Sequence, residues 1–197
     1  MPRIGVFGLM ASGKSTVSRW FHEWGAAVVD GDVLGWEVLR EPEIVAALRE
    51  AFGAEVIAGG GSVDRAALGG IVFRDRAAME RLNGIVQPRL LDRVREALGA
   101  EAANGSVVLL DAALLTTWRL EPELDGVLEV RADEGARERR LMAARGLDAG
   151  AARERVRGQR LPPVRNAKRH WVIRNDGDLA ALRLRAEAVW MEIAALP

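Results

Sequence analysis

The stretch Gly8-Leu9-Met10-Ala11-Ser12-Gly13-Lys14-Ser15 carries the pattern Gly-x4-Gly-Lys-Ser in full. It stands between a short apolar run, Arg3-Ile4-Gly5-Val6-Phe7, and a segment from Lys14 to Trp24 in which Val17, Trp20, Phe21 and Trp24 recur at helical spacing. Strand, glycine-bearing loop and helix form the setting in which this pattern cradles phosphate. The backbone N–H groups turn inward onto phosphate oxygens, and the positive end of the following helix adds to their field. Lys14 then reaches the β- and γ-phosphates of a nucleoside triphosphate, and the Ser15 hydroxyl coordinates Mg2+. A chance run of Gly, Lys and Ser in a turn would not need the strand before it and the helix after it. Composition adds a separate argument. Of 28 cationic residues only Lys14 and Lys168 are lysine, so a chain that writes nearly every positive charge as arginine keeps a compact ammonium where the pattern requires one.

Outward from the loop, Gly25 ends the first helix and Ala27-Val28-Val29-Asp30 reads as a second short strand. Asp32 to Phe52 is mostly helical in pattern, with a break near Glu41-Pro42. Gly59-Gly60-Gly61 is a turn between Val56-Ile57 and Val63, and Asp64 can cap a helical run through Leu68. Asp75 to Leu82 and Pro88 to Leu98 read as two further helices. Val107-Val108-Leu109-Leu110-Asp111 is the strongest strand, followed by Val127-Leu128-Glu129-Val130 and Trp171-Val172-Ile173-Arg174. Helices are expected over Asp133 to Ala144, over Asp148 to Arg157, and from Asp178, as N-cap, to Ala195. Strands alternating with helices predict an α/β fold, a P-loop NTPase three-layer arrangement with a parallel sheet between helices. Residues 1–32 and 103–197 are the expected nucleotide-binding core, with a basic lid at about 137–169, and residues 33–102 a helical substrate-binding insertion.

A chain of 197 residues suffices for such a domain, and 49% apolar with 28% charged residues is the balance of a globular protein. The absence of cysteine excludes disulfides, thiolate metal sites and cysteine nucleophiles, and fits a reducing cytoplasm. No signal-peptide core follows the first residues, and no run approaches the ~20 apolar residues of a membrane span. A cytoplasmic protein without a membrane partner is expected, as a monomer or weak homo-oligomer. Net charge is zero but unevenly spread. Between Arg137 and Arg169, ten arginines and Lys168 face only Glu138, Asp148 and Glu154, a net charge of +8. Such a concentration attracts phosphate, while overall neutrality argues against a nucleic-acid partner.

Asp30 and Asp32 stand at the carboxyl end of the second strand, and Asp111 ends the third. In open α/β sheets ligands bind beyond the carboxyl ends of strands. Phosphoryl transfer to a hydroxyl needs a carboxylate to orient or deprotonate the acceptor, and often another near the metal. Asp32 suits the first role and Asp111 the second, whereas Asp30 reads equally as a helix cap. In the basic segment Arg140 shares a helix face with Arg137. Arg140 and Arg145 are expected to touch phosphate, with Arg140 neutralising transition-state charge. Trp20, Trp24 and Trp36 read as packing residues. His22 and His170 have no evident partner and receive no role.

With these residues in place, the chain resembles the dephospho-coenzyme A kinases along nearly its whole length. Gly5-Val6-Phe7-Gly8 through Lys14-Ser15-Thr16 is similar to the family P-loop, which implies Gly8, Ala11, Ser12, Gly13, Lys14, Ser15 and Thr16 at ATP. Val29-Asp30-Gly31-Asp32 is similar to its Asp-x-Asp element, whose second Asp is the catalytic base, here Asp32. Gly53 through Asp64-Arg65-Ala66-Ala67-Leu68 and Val72-Phe73 resemble the start of the substrate-binding helical region. Arg155 with Gln159, and Ile173, Asn175 and Gly177, resemble the lid end and the adenine-side turn, which implies Asn175 at ATP. The resemblance implies transfer of the ATP γ-phosphate, with Mg2+, to the 3′-hydroxyl of dephospho-coenzyme A. The chain departs from the family at Leu9 and Ala11, where glycines are usual, at Gln87-Pro88 in place of His-Pro, and at Ala113-Leu114-Leu115-Thr116-Thr117 in place of Pro-Leu-Leu-Phe-Glu. Gln87 and Leu114 are therefore the acceptor-side candidates beside Asp32. Because that side is altered, a P-loop kinase of another small-molecule or nucleoside acceptor, and a nucleotide-binding homologue with weakened catalysis, are the alternative readings.

Overall fold

The apolar run before the glycine loop forms β1 (Arg3–Phe7), with Ile4 and Val6 fully buried. This computed structural model describes residues 1–102 and 107–197. β1 pairs in parallel with β3 (Val108–Asp111) and β4 (Gly126–Arg131), and β2 (Ala27–Asp30) and β5 (His170–Arg174) complete a five-stranded sheet of order β2-β3-β1-β4-β5. Parallel neighbours need crossover connections, and helices supply them. α1 (Lys14–Glu23) joins β1 to β2. Between β2 and β3 lie α2 (Gly31–Val38), α3 (Pro42–Phe52), α4 (Arg65–Val72) and α5 (Arg76–Ala102). The single turn α6 (Leu115–Trp118) follows β3, α7 (Glu134–Arg145) and α8 (Ala149–Gly158) follow β4, and α9 (Leu179–Ala194) follows β5.

The core lies on the sheet face covered by α1 and α9. Val17, Trp20 and Phe21 from α1, with Leu182, Ala186 and Ile193 from α9, pack on Ile4, Val6, Leu109, Leu128, Val130 and Ile173. Phe21 meets Trp190 edge-on, ring centroids 5.2 Å apart. Burying a side chain of this size stabilises the fold by about 1.5–3 kcal/mol relative to leaving it in water. Gly5 points to the other face, where a Cβ would collide with the side chains of Leu115 and Leu124. The missing side chain lets the α6 segment lie against β1.

The chain divides into two compact units, Met1–Asp30 with Leu98–Pro197, and Gly31–Ala97. The first holds the whole sheet and the glycine loop. The second is helical, built on buried Ile44, Leu48, Phe52, Val56, Leu68 and Val72, with one antiparallel bridge between Ile57 and Val63 across the Gly59–Gly61 turn. Asp64 caps α4, its carboxylate accepting the N–H groups of Ala66 and Ala67 at 2.9 and 3.0 Å. Residue 103, where the second stretch of the core was expected to begin, lies outside the described residues.

One element differs from the sequence pattern. The two helices expected over Asp75 to Leu82 and Pro88 to Leu98 are a single helix, α5, running through Pro88. Proline removes one helical hydrogen bond, to the carbonyl four residues earlier. That carbonyl belongs to Gly84, which is exposed, as is Pro88, so water can satisfy it.

Candidate active site

The loop between β1 and α1 folds tightly. The Ser12 N–H donates to the Leu9 carbonyl at 3.0 Å, and Ala11 (φ 61) and Gly13 (φ 99) both take left-handed backbone. A Cβ on Gly8 would stand 2.5 Å from the Val130 carbonyl oxygen and 2.7 Å from Ser12 Oγ, so no side chain fits there.

Three side chains hold the loop from behind by its carbonyls. Arg137 Nε donates to Met10 O at 2.8 Å, Arg140 Nη1 to Ala11 O at 3.2 Å, and Asn175 Nδ2 to Ser12 O at 2.7 Å. A trans peptide points its C=O and N–H in opposite directions. Fixing the Met10 and Ser12 carbonyls on these donors therefore turns the Ala11 and Gly13 N–H groups the other way, as an anion cradle requires. A second layer holds the first. Gln159 Oε1 accepts from the Met10 N–H at 2.6 Å and from Arg137 Nη2 at 3.0 Å. Arg140 Nη2 donates to Asn175 O and Oδ1 at 2.8 and 3.0 Å, and the Asn175 N–H is tied to the Arg131 carbonyl at 2.7 Å.

Local sequence puts these donors there. Asp133 caps α7, accepting the Ala136 N–H at 2.6 Å, and Gly146 (φ 62) ends it, so Arg137 and Arg140 fall one turn apart. Asp148 caps α8 in the same way. Leu141, Ala152 and Val156 join the two helices and pack against Met10 and Ala11. Arg137 is 2% exposed, and burial lowers its pKa below the usual arginine value, with Glu134 acting in the opposite sense.

On the other flank of the loop, Lys14 Nζ forms an ion pair with Asp111 at the end of β3. Asp111 is in register with Val6 of β1 and Asp30 of β2, so these carboxylates share the carboxyl edge of the sheet. Ser15 is exposed in the first turn of α1. Among the described residues no group of three His, Asp or Glu could hold a metal unaided. The Ser15 hydroxyl and the Asp111 carboxylate are hard oxygen ligands, and they suit a Mg2+ that fills its shell with phosphate and water. Beside the loop a cavity of about 430 Å3 is bounded by Gly13, Thr16, Arg140, Arg145, Asn175 and Gly177. With Ala11, which also lines it, it collects five of the residues expected at ATP. Leu9 faces a different cavity, of about 630 Å3, with Phe7, Arg131 and Pro162.

A family model described as dephospho-CoA kinase matches residues 3–181. The chain belongs to the dephospho-CoA kinase family. A dephospho-CoA kinase of Mycolicibacterium paratuberculosis is 41% identical over 193 residues, covering 98% of this chain and 47% of the relative, so the chain spans about half of that protein's length. A dephospho-CoA kinase of Leifsonia xyli subsp. xyli is 39% identical over 194 residues, covering 96% of this chain and 98% of the relative. Among solved structures, the protein TT1252 from Thermus thermophilus superposes with a TM-score of 0.77 at 32% identity, over 97% of each chain.

Within this family member the departures at Leu9 and Ala11 have a local setting: Ala11 packs on α7 and α8, and Leu9 lines a cavity wall. The acceptor-side candidates fall in both units. Asp32 is exposed in the first turn of α2, and Gln87 is half-buried in α5; both belong to the helical unit. Leu114 is exposed just before α6 in the sheet unit.

Two sequence expectations need correction, and one residue was missed. His22 and His170 do have partners: His22 Nδ1 lies 2.9 Å from the Ala26 carbonyl, and His170 Nε2 lies 3.1 Å from Glu129 Oε2. Trp20 is buried as expected, but Trp36 is 46% exposed, with the Arg65 guanidinium stacked 3.0 Å above its ring. Arg137, which received no role beyond sharing a face with Arg140, is a buried support of the loop. Spacing could have suggested it, since it shares a face with Arg140, but its burial depends on Gln159 and Met10, both distant in sequence.

Proposed function

We propose that the protein transfers the γ-phosphate of ATP to the 3′-hydroxyl of dephospho-coenzyme A, giving coenzyme A and ADP. The observation that carries this reading is the glycine loop clamped by Arg137, Arg140 and Asn175 beside the Lys14–Asp111 pair, in a chain of the dephospho-CoA kinase family. Gly8, Ala11, Ser12, Gly13, Ser15 and Thr16 line the triphosphate, and Asn175 and Arg145 flank the nucleoside side. Lys14 exchanges Asp111 for the β- and γ-phosphates. Ser15, with Asp111, would hold Mg2+, which would supply neutralising charge to the phosphate oxygens. Asp32 takes the proton of the 3′-hydroxyl as its oxygen forms the new bond to phosphorus and the bond to the ADP leaving oxygen breaks. Arg140 keeps the loop in shape, and its charge lies beside the phosphates. Asp32, Gln87 and Leu114 are the residues we assign to the acceptor.

The partner is a small molecule, with no nucleic acid or membrane involved, and the protein acts in the cytoplasm as a monomer or weak homo-oligomer. No helix among the described residues is long and apolar enough to cross a membrane.

The deciding experiment measures ADP formation with dephospho-coenzyme A and a panel of other nucleosides and alcohols, alongside thermal shifts with ATP and each acceptor. ADP formation that depends on dephospho-coenzyme A is the expected result. A stronger response to another acceptor would favour the alternative motivated by Gln87 and Thr116-Thr117, and ATP binding without transfer to any acceptor would overturn the kinase reading.

A further inference from the structure

The last helix, α9, is apolar on both sides. Only four of its sixteen residues are charged: Arg183, Arg185, Glu187 and Glu192. Leu182, Ala186 and Ile193 face the sheet and are buried. On the opposite side Leu184 and Met191 stand 68% and 67% exposed, with Ala188 and Ala195 exposed beside them. A lone exposed apolar residue needs no explanation, but a helix that is apolar all round is one that packs on both sides. Here the exposed residues form a row. Ala181, Leu184, Ala188, Met191 and Ala195 follow one another at steps of three, four, three and four residues. That is the a/d repeat of a two-helix seam, kept over two heptads. Alanine alternates with a larger side chain along it, so a second helix can approach closely.

The charges beside the row identify the partner. Arg185 and Glu192 directly follow Leu184 and Met191, so both lie on one flank, seven residues apart. Arg185 donates to the Arg174 carbonyl, and Glu192 accepts from Trp171 Nε1 at 2.8 Å, but neither has an ion-pair partner among the described residues. On the other flank Arg183 and Glu187 pair with each other at 3.1 Å. A second α9 laid antiparallel, end for end about Ala188, sets Ala181 against the partner's Ala195 and Leu184 against the partner's Met191. The same operation brings Arg185 level with the partner's Glu192, and Glu192 level with the partner's Arg185. Flanking charges of this kind decide orientation in paired helices. A parallel pair would instead place Glu187 beside the partner's Glu192, carboxylate against carboxylate.

We propose that the outer face of α9 binds a second copy of this chain, antiparallel about a two-fold axis level with Ala188. The contact is isologous: the same surface serves both copies, and the pair closes on itself. A helix of this length spans ~24 Å, so the seam buries less than the ~1,200 Å2 of a standard stable interface. The dimer is therefore weak and exchanges with monomer as concentration changes. The inference rests on the reading of the protein as a weak homo-oligomer and is independent of the kinase reading.

The test is sedimentation velocity on the full chain between about 1 and about 500 µM, since a self-association follows mass action. The average mass is expected to rise from one chain toward two. Leu184→Glu and Arg185→Glu are expected to stay monomeric at the highest concentration, and Arg185→Glu combined with Glu192→Arg to recover the dimer. Leu184 is exposed, so Leu184→Glu should melt with the wild type at low concentration, which separates a lost contact from a lost fold. Because the chain has no cysteine, a single introduced one reports geometry. Ala188→Cys should cross-link to itself on mild oxidation. Ala181→Cys and Ala195→Cys should cross-link only when mixed with each other. A chain that stays monomeric throughout, a dimer that persists in Leu184→Glu, or self-cross-linking of Ala181→Cys overturns the proposal. ADP formation measured on the same samples tests the kinase reading separately, so an active monomer loses this contact and keeps that reading.

Discussion

Asn175 fills the space that a side chain on Gly13 would need. Its Nδ2 lies where it would collide with a Cβ on Gly13, and 2.7 Å from the Ser12 carbonyl to which it donates. Gly13 also sits at φ 99, where a side chain is strained in any case. The β5–α9 turn and the β1–α1 loop are therefore built as one piece, and the nucleotide loop inherits its shape from a residue 162 positions away in the chain.

Asn175→Ala leaves the Ser12 carbonyl without its side-chain donor, while Arg140 keeps the Ala11 and residue-175 backbone carbonyls and loses only Oδ1. A buried carbonyl so orphaned costs about 1–3 kcal/mol. Urea unfolding should report that loss, and the upward thermal shift produced by ATP should shrink or disappear. An unchanged ATP shift would mean that the loop holds its form without this clamp.

Arg137 reaches Met10 O and Gln159 Oε1 through two different nitrogens of one planar group. Lysine places a single ammonium on a flexible stem and cannot span both acceptors. Arg137→Lys is expected to weaken ATP binding nearly as much as Arg137→Ala, measured by calorimetric titration. Full retention of affinity in the lysine variant would show that charge alone matters there.

Gly8→Ala and Ala11→Gly should have opposite fates. The first drives a methyl into the Val130 carbonyl and abolishes the folded loop. In the second, release of the left-handed strain at φ 61 gains ~1–2 kcal/mol, while the lost methyl contact and the freer unfolded chain each cost about 0.5–1 kcal/mol. The gain and the losses nearly cancel, so Ala11→Gly should unfold within ~1 kcal/mol of wild type and keep ATP binding.

Asp32→Asn removes a base without changing side-chain size. Turnover is expected to fall by about 10²–10⁴-fold, with the ATP-induced thermal shift retained. Turnover at the wild-type rate would exclude Asp32 as the base.

Asp125 links acid stability to the sheet. Burial acts to raise its pKa, but the Arg3 N–H at 2.9 Å and the Lys168 ammonium at 3.1 Å outweigh burial and hold it below its ordinary 3.8. An unfolded chain then binds a proton more readily than the folded one. The contribution of Asp125 is complete above pH 3.8 and is lost as pH falls through the lower folded value. Denaturant titrations of wild type and Asp125→Asn across this range should converge as the solution becomes more acid.

Much of this molecule was legible one segment at a time. The strands from β1 to β5 follow from short β-branched runs. The caps at Asp64 and Asp178 follow from carboxylates placed just before helical patterns. Pro88 misled because the cost of proline in a helix depends on whether the freed carbonyl can reach water, and sequence does not report exposure. His22 and His170 looked solitary because their partners are a backbone carbonyl and a carboxylate on a neighbouring strand.

Sequence by itself determined the phosphate motif, the alternation of strands and helices and the placement of carboxylates at strand ends, because each is local: glycine geometry, side-chain period and position relative to a strand terminus. Only the tertiary structure decided that Arg137, Arg140 and Asn175 grip the loop carbonyls, that Lys14 meets Asp111, and that Trp36 lies open beneath Arg65. Those pairings join positions far apart in the chain, and which partners meet is fixed by sheet order and helix packing rather than by any spacing along the sequence.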